Sequence, residues 1–156
     1  MITVTKKAIE AFYAGKRLAI VGVSRSKHDY SRRLFAEFRK RGYDVVPVNP
    51  NAPDIDGIPC AATLKAVTPV VDRAIVLLPG DKADAAVSEG LDAGVKMLWV
   101  HNMNRNELAA LKAPELCAKR GSTYISGYCP FMLMHHPGFP HGMHAGVAKL
   151  IGHMPK

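Results

Sequence analysis

The sequence predicts an α/β protein with a doubly wound, mainly parallel sheet of five or six strands and helices on both faces. Short, uninterrupted apolar runs alternate along the chain with longer stretches whose apolar residues recur at helical spacing. Strands of a parallel sheet read as continuous apolar runs because helices cover both of their faces. Regular alternation of strand and helix favours parallel pairing, in which each helix carries the chain back across the sheet.

Five apolar runs are the candidate strands. They are residues 18–23, 44–48, 73–78 and 96–100, and a weaker run at 122–125. Each run is much shorter than the roughly 18 apolar residues that a membrane-spanning helix requires. The sequence therefore predicts sheet strands and no membrane span.

Amphipathic stretches predict the helices, which we expect at residues 5–14, 31–41, 81–91 and 104–120. Asp81 is expected to cap the third helix, and Asn104 or Asn106 the fourth, because their side chains can accept hydrogen bonds from free amide groups. Pro114 lacks the amide hydrogen that a helix interior needs, so we expect a kink or two short helices within the last stretch.

The length of 156 residues fits one domain, residues 1–156. A hydrophobic content of 48% is enough for a sizeable core. Residues 131–156 form a C-terminal extension of this domain that is rich in Pro, Met and His. Within the extension, residues 145–151 are a candidate short closing helix.

Charge and cysteine content indicate the kind of partner and the compartment. The chain has 21 Lys and Arg against 13 Asp and Glu, a net charge of +8. This charge favours an acidic partner, which can be a nucleotide, a nucleic acid or an anionic surface, and does not choose among them. The three cysteines, Cys60, Cys117 and Cys129, are odd in number and far apart, which argues against a disulfide framework and for a reducing compartment. The first ten residues carry charges where a signal peptide has an apolar run. We therefore expect a cytoplasmic protein.

The segment that follows the first predicted strand, residues 22–31, is the candidate ligand site. Ligands of open α/β sheets bind at the carboxyl ends of the strands, where the strand order reverses. Gly22 allows a sharp turn, and the helix that begins near Ser31 directs free amide groups and the positive end of its dipole towards an anion. Further hydroxyls and positive charges come from Ser24, Arg25, Ser26, Lys27, Arg32 and Arg33. These residues predict a phosphate site, with a purely structural turn as the alternative.

Two common nucleotide motifs are absent. Neither G-x-G-x-x-G nor G-x-x-x-x-G-K-[ST] occurs in the chain. The second strand ends at Asn49 and Pro50, where an NAD site would carry an acidic residue for the ribose hydroxyls. A sensor of NADP or of another nucleotide on the same fold is one alternative function.

Five short motifs occur in consistent order between residues 15 and 131. They are residues 20–25 (Ile-Val-Gly-Val-Ser-Arg), 45–50 (Val-Val-Pro-Val-Asn-Pro), 77–79 (Leu-Leu-Pro), Trp99 and 127–130 (Gly-Tyr-Cys-Pro). Together they resemble the CoA-binding domain family, whose relatives include the nucleotide-binding domain of the succinyl-CoA synthetase α-subunit. The resemblance implies a Rossmann-like fold that holds coenzyme A or an acyl-CoA, with the pyrophosphate over the first strand–helix turn.

The resemblance also implies which residues contact the ligand. They fall into three turns: Gly22, Val23, Ser24, Arg25, Lys27 and Ser31 for the phosphates, Asn49 and Pro50 for adenosine, and Leu78 and Pro79 for pantetheine. His101 and Asn102 depart from the family's pattern, in which glutamine and glycine are common at this place near the thiol end. Free-standing members look like binding proteins, so no catalytic residue is predicted.

Cys129 follows the last predicted strand, where the pocket is expected. Neighbouring histidines can lower the pKa of a thiol, but a small buried packing residue is the simpler interpretation. We therefore predict no catalytic role for Cys129.

The extension contains a cluster of soft and imidazole ligands: His135, His136, His141 and His144, with Met132, Met134 and Met143 beside them. Zinc, nickel and copper sites use such donors, although this spacing matches no established ligand pattern. A metal-binding or partner-binding module that acts through this tail is the second alternative. Nucleic acid is not expected as a partner because the basic residues of 32–41 spread around a helix. The sequence leaves the oligomeric state open.

Overall fold

The structure is a computed structural model that describes residues 4–102 and 104–134. Its first half contains α1 (Lys6–Ala14), β1 (Arg17–Val21), α2 (Tyr30–Lys40), β2 (Asp44–Val48), β3 (Asp54–Ile55), β4 (Ile58–Pro59) and a 3-10 turn (Leu64–Ala66). The second half contains β5 (Arg73–Val76), α3 (Gly80–Asp92), β6 (Met97–Val100), α4 (Arg105–Ala110), α5 (Ala113–Lys119), β7 (Thr123–Ile125) and α6 (Pro130–Met134).

The main sheet confirms the predicted fold class. It has five strands in the order β2-β1-β5-β6-β7, and every neighbouring pair is parallel. The chain runs outward from β1 to β2 and then returns past β1 to β5, from which it continues to β6 and β7. The strand order therefore reverses between β1 and β5, which is where ligands of doubly wound sheets bind.

Apolar side chains cover both faces of the sheet, as the continuous runs predicted. On one face, Leu18 and Ile20 of β1 pack with α1 and α2, and on the other, Ala19 and Val21 pack with α3 and α5. All four of these side chains are at least nine-tenths buried. Because side chains alternate across a strand, a strand with helices above and below must be apolar at every position.

The helix boundaries differ in detail from those predicted. The stretch 104–120 divides into α4 and α5, and Pro114 lies in the first turn of α5, where its missing amide hydrogen removes no helical bond. Asn104 caps α4 as predicted. The prediction for Asp81 was wrong, because the extended backbone of Pro79 (φ −82°, ψ 154°) makes that residue the N-cap and places Asp81 inside the first turn of α3.

Three features were not predicted: the antiparallel hairpin of β3 and β4, the 3-10 turn and α6. Strands of two residues are too short to show any periodicity in the sequence. The candidate helix 145–151 lies outside the described residues. Within the described part of the chain, no helix has the length and apolar character needed to cross a membrane.

Candidate functional site

A pocket of about 260 Å³ opens at the carboxyl edge of the sheet, between the turns that follow β1 and β5. It therefore lies at the point where the strand order reverses. Its lining combines hydroxyl, carboxylate, imidazole and aliphatic groups: Gly22, Ser24, Asp29, Tyr30, Ser31, Leu77, Leu78, Pro79, His101 and Asn102.

Gly22, directly after β1, has a backbone conformation that only glycine adopts readily. Its φ is +89°, and a Cβ atom at this position would lie 2.9 Å from Cδ2 of Leu78 and 3.3 Å from the carbonyl oxygen of Leu77. Its amide donates to the carbonyl oxygen of Val48 at 3.0 Å, which holds the turn against the end of β2. The predicted sharp turn is present, and it brings the β1 and β5 turns close together.

Hydrogen bonds brace the turn from within. Oγ of Ser31 accepts from the amide of Ser24 at 2.8 Å and donates to Oδ1 of Asp29. The same Asp29 oxygen accepts from the Ser31 amide at 2.8 Å and so caps α2. We expected the start of α2 to offer free amide groups to an anion, but the Asp29 carboxylate already occupies part of that position. The sequence reasoning missed this cap, although Asp is one of the favoured N-cap residues.

Arg32 holds the turn in place through hydrogen bonds to its backbone. In the sequence it was considered only as one of several positive charges near the turn. The side chain is buried, and its Nη1 donates to the carbonyl oxygens of Ser24 at 3.3 Å and Arg25 at 3.0 Å. Its Nη2 lies 2.6 Å from Oδ1 of Asp56, in the turn of the β3–β4 hairpin. The guanidinium is therefore committed to holding the backbone of the turn.

The predicted site residues divide into two groups. Five of them line the pocket: Gly22, Ser24, Ser31, Leu78 and Pro79. The other five do not: Val23, Arg25, Lys27, Asn49 and Pro50. The Arg25 and Lys27 side chains are exposed beside the turn, and Val23 is buried in the core on the α2 face.

Asn49 acts within the protein. Its Nδ2 donates to the carbonyl oxygen of Val23 at 2.8 Å, and its Oδ1 accepts from the amide of Asn51 at 2.8 Å. Both polar ends of this side chain are thus engaged in joining the β1 and β2 turns. The residue fixes the edge of the site rather than opening onto the pocket.

Three side chains from distant parts of the sequence meet beside the pocket. The hydroxyl of Tyr30 lies 3.2 Å from Sγ of Cys129, and the Tyr30 and His101 rings are 5.3 Å apart. Burial raises the pKa of the Cys129 thiol, but the polar groups of His101 and Tyr30 together outweigh that effect and lower the pKa to about 7. Burial and the contact with Cys129 hold the pKa of Tyr30 well above its ordinary value, so its hydroxyl stays protonated and can donate to a thiolate.

One ring nitrogen of His101 lacks a hydrogen-bond partner among the described residues. Its Nε2 is buried and makes no hydrogen bond of ordinary geometry within the described residues. The His101 side chain is nevertheless the largest of the influences that lower the pKa of the Cys129 thiol, followed by the Tyr30 hydroxyl. His101 and Asn102, the two departures noted in the sequence, both line the pocket.

The described residues contain no group of three or more His, Cys, Asp or Glu side chains that could hold a metal ion. The histidines considered for metal binding, His135, His136, His141 and His144, lie outside the described residues. The metal hypothesis therefore stays a prediction.

Comparisons with known proteins agree with the fold. Over 120 residues the chain is 24% identical to the uncharacterized protein YneT of Bacillus subtilis. This match covers 77% of this chain and 86% of YneT. A conserved hypothetical protein of Pyrococcus furiosus superposes with a TM-score of 0.66 at 26% identity, covering 77% of this chain and 97% of the other. The dinucleotide-forming acetyl-coenzyme A synthetase 1 of Korarchaeum cryptofilum superposes with a TM-score of 0.60 at 24% identity, over 70% of this chain and 25% of that enzyme.

The most direct result comes from family models. The model described as "CoA binding domain" matches residues 16–135. This range begins at the start of β1 and extends to the end of α6, so it includes every turn that borders the pocket. The chain belongs to the CoA-binding domain family.

Proposed function

We propose that the protein binds coenzyme A or an acyl-CoA in this pocket, and that binding rather than catalysis is its function. The observation that carries the proposal is the position of the pocket at the reversal of strand order, in a chain that belongs to the CoA-binding domain family. One wall is polar and is formed by the turn after β1. The opposite wall is the Leu77, Leu78 and Pro79 turn after β5.

The two walls suit the two chemically different halves of CoA. The polar turn at Gly22 and Ser24, with the exposed Arg25 and Lys27 side chains beside it, suits phosphate groups. The aliphatic turn suits the pantetheine arm. Ligand pockets commonly measure about 300–1,000 Å³, and this one measures about 260 Å³. We propose that it encloses the junction of pyrophosphate and pantetheine, with adenosine outside it along the sheet edge.

Calorimetric titration of the full chain with CoA, acetyl-CoA, NAD and NADP tests the proposal. CoA or acetyl-CoA should bind, and NAD and NADP should bind much more weakly. Ser24→Asp should abolish CoA binding with the fold intact, because it places a negative charge against the phosphates. Ser122→Asp is the matched control, since Ser122 precedes β7 and so lies at the amino ends of the strands, opposite to the pocket. Equal CoA affinity in the two variants, or tighter binding of NADP, would contradict the proposal.

We also propose a cytoplasmic location. All three cysteines, Cys60, Cys117 and Cys129, are unpaired, which suits a reducing compartment. Fractionation of native cells tests this, and recovery of the protein in a secreted or envelope fraction would contradict it.

A further inference from the structure

The sulfur of Cys129 lies directly behind one wall of the pocket. It is in contact with Tyr30, and Tyr30 and His101 both form part of the pocket wall. The aliphatic turn of Leu77 and Leu78 lines the same pocket. A pantetheine arm that packs along that turn therefore shares the pocket with Tyr30 and His101, the two side chains beside the Cys129 sulfur.

The groups around the sulfur stabilise a thiolate. Burial raises the pKa of the thiol, but the His101 side chain, the Tyr30 hydroxyl and the backbone amide of Met132 together outweigh burial and lower the pKa to about 7. A thiol with a pKa near the ambient pH is the best attacking group in disulfide exchange, since it combines a large thiolate fraction with high nucleophilicity. Cys129 thus has both the ionisation and the position for this chemistry.

The other two cysteines lack these properties. Burial raises the pKa of the Cys117 thiol to about 11, and burial followed by the charge of Asp54 raises the pKa of Cys60. Cys117 packs in the core on the α3 face, away from the pocket wall. They serve as internal controls for the reactivity of Cys129.

The backbone around Cys129 is fixed on both sides. Nε1 of Trp99 donates to the carbonyl oxygen of Tyr128 at 3.1 Å, and the hydroxyl of Tyr13 donates to that of Pro130 at 2.6 Å. Reaction at a fixed sulfur requires the partner to come to it, as a bound arm does. The buried Nε2 of His101, which lacks a partner among the described residues, is available to a group that arrives there.

We propose that Cys129 forms a mixed disulfide with the pantetheine sulfur of CoA in this pocket, by exchange with a disulfide of CoA. The inference rests on the proposed function. The co-reactant is a disulfide of CoA. The Cys129 thiolate attacks one sulfur of that disulfide, the old S–S bond breaks as the new one forms, and the departing CoA thiolate takes a proton from solvent. Cys129 is oxidised and the departing sulfur is reduced, so no other oxidant is needed.

Disulfide exchange fits the surroundings better than acyl transfer from a thioester. Acyl transfer needs hydrogen-bond donors aimed at the oxygen of the tetrahedral intermediate. Here the Tyr30 hydroxyl and the Met132 amide are directed at the sulfur instead. Exchange requires only a thiolate and an accessible disulfide.

Intact-mass measurement under non-reducing conditions tests the proposal. The full chain, incubated with CoA disulfide at neutral pH, should gain one CoA that dithiothreitol removes, and peptide mapping should place it on Cys129. Cys129→Ser should lose the adduct and Cys60→Ser should keep it. The second-order rate with CoA disulfide should exceed that with cystamine by at least about tenfold, because binding makes the reaction effectively intramolecular.

Calorimetry with reduced CoA separates the failure of this inference from that of the proposed function. If Cys129→Ser and the unmodified chain both bind reduced CoA but no adduct forms on Cys129, the inference is overturned and the binding function stands. If neither binds CoA, the binding function fails as well. An adduct on Cys60, equal rates with cystamine, or acetylation of Cys129 by acetyl-CoA would each overturn the mixed disulfide.

Discussion

Nη2 of Arg32 lies 2.6 Å from Oδ1 of Asp56, so the first turn of α2 is joined to the β3–β4 hairpin. The Arg32 side chain is 8% exposed and the Asp56 side chain 44% exposed. Asp56 also has a left-handed backbone conformation, with φ of 51°. The hairpin therefore presents a carboxylate to a guanidinium that, through Nη1, holds the Ser24 and Arg25 carbonyl groups.

Asp56→Asn should destabilise the protein and weaken CoA binding together. Asparagine tolerates the left-handed backbone, so the change removes the charge and leaves Arg32 buried without its counter-ion. Loss of one partner of a buried pair costs about 3–5 kcal/mol, and the partial exposure of Asp56 reduces the expected loss to about 1–2 kcal/mol. Urea unfolding measures this loss in the free energy of unfolding.

Asp44→Asn is the control, because it affects the exposed pair with Arg17 and should cost less than about 1 kcal/mol. Equal losses would mean that the buried pair does not hold the turn.

Gly22→Ala should destabilise the fold more than Gly42→Ala. Both glycines have positive φ, +89° and +83°, so each substitution carries a backbone penalty of about 1–2 kcal/mol. Only at Gly22 would the new Cβ also collide with Leu78, at 2.9 Å, whereas at Gly42 nothing lies within 4 Å. The collision adds about 1–3 kcal/mol. Comparison of the two unfolding free energies isolates the collision, and similar values would show that the β1 and β5 turns move apart at little cost.

Asp29→Asn should increase the affinity for CoA. Asparagine caps a helix as well as aspartate, while the change removes a negative charge from the wall that is proposed to face phosphates. An interaction of about 1 kcal/mol between charges in water corresponds to roughly a fivefold tighter dissociation constant. Calorimetry at two salt concentrations checks this, because the gain should shrink as salt screens the charge. An unchanged affinity at low salt would place the phosphates away from Asp29.

The rate of disulfide exchange at Cys129 should rise with pH through about 7 and then level off, because only the thiolate reacts. Titratable groups that face the sulfur are Tyr30 from α2, His101 after β6 and Tyr13 from α1. Tyr30→Phe removes a hydroxyl donor, so the inflection should move towards the ordinary thiol pKa of 9.0. Stopped-flow measurement of the pH–rate profile checks the shift. A profile that does not move would assign the lowered pKa to other groups.

The same ionisation affects stability. The pKa of Cys129 is lower in the folded chain than the ordinary value of 9.0, so the folded state gains stability from the thiolate at pH above 9.0. That contribution is lost as the pH falls through about 7. In Cys129→Ser this part of the pH dependence should be absent.

The parts of the fold that depend on burial could be predicted from sequence. Continuous apolar runs located all five strands of the main sheet, because a two-sided sheet requires them, and Asn104 and Pro114 marked helix boundaries correctly. The β3–β4 hairpin gave no signal because its two-residue strands are too short for a period.

The site was predictable only where it depends on local backbone. Gly22 indicated the turn through its conformational freedom, but Asp29 and Arg32 were not recognised as its cap and its support. The contact between Tyr30 and Cys129 joins residues 99 positions apart in sequence. Such a contact follows from the strand order, which brings the start of α2 and the segment after β7 to the same end of the sheet. The strand order could not be predicted from a single sequence.

Trp99 gives the molecule an optical probe of its own site. It is the only tryptophan in the chain, it is fully buried, and its indole N–H donates to the carbonyl oxygen of Tyr128, one residue before Cys129. Indole emission responds to changes in hydrogen bonding and in the surrounding dipoles. Occupation of the thiol end, or attachment of a group to the sulfur, should therefore change the fluorescence of the unlabelled protein, with no reporter dye to perturb the pocket.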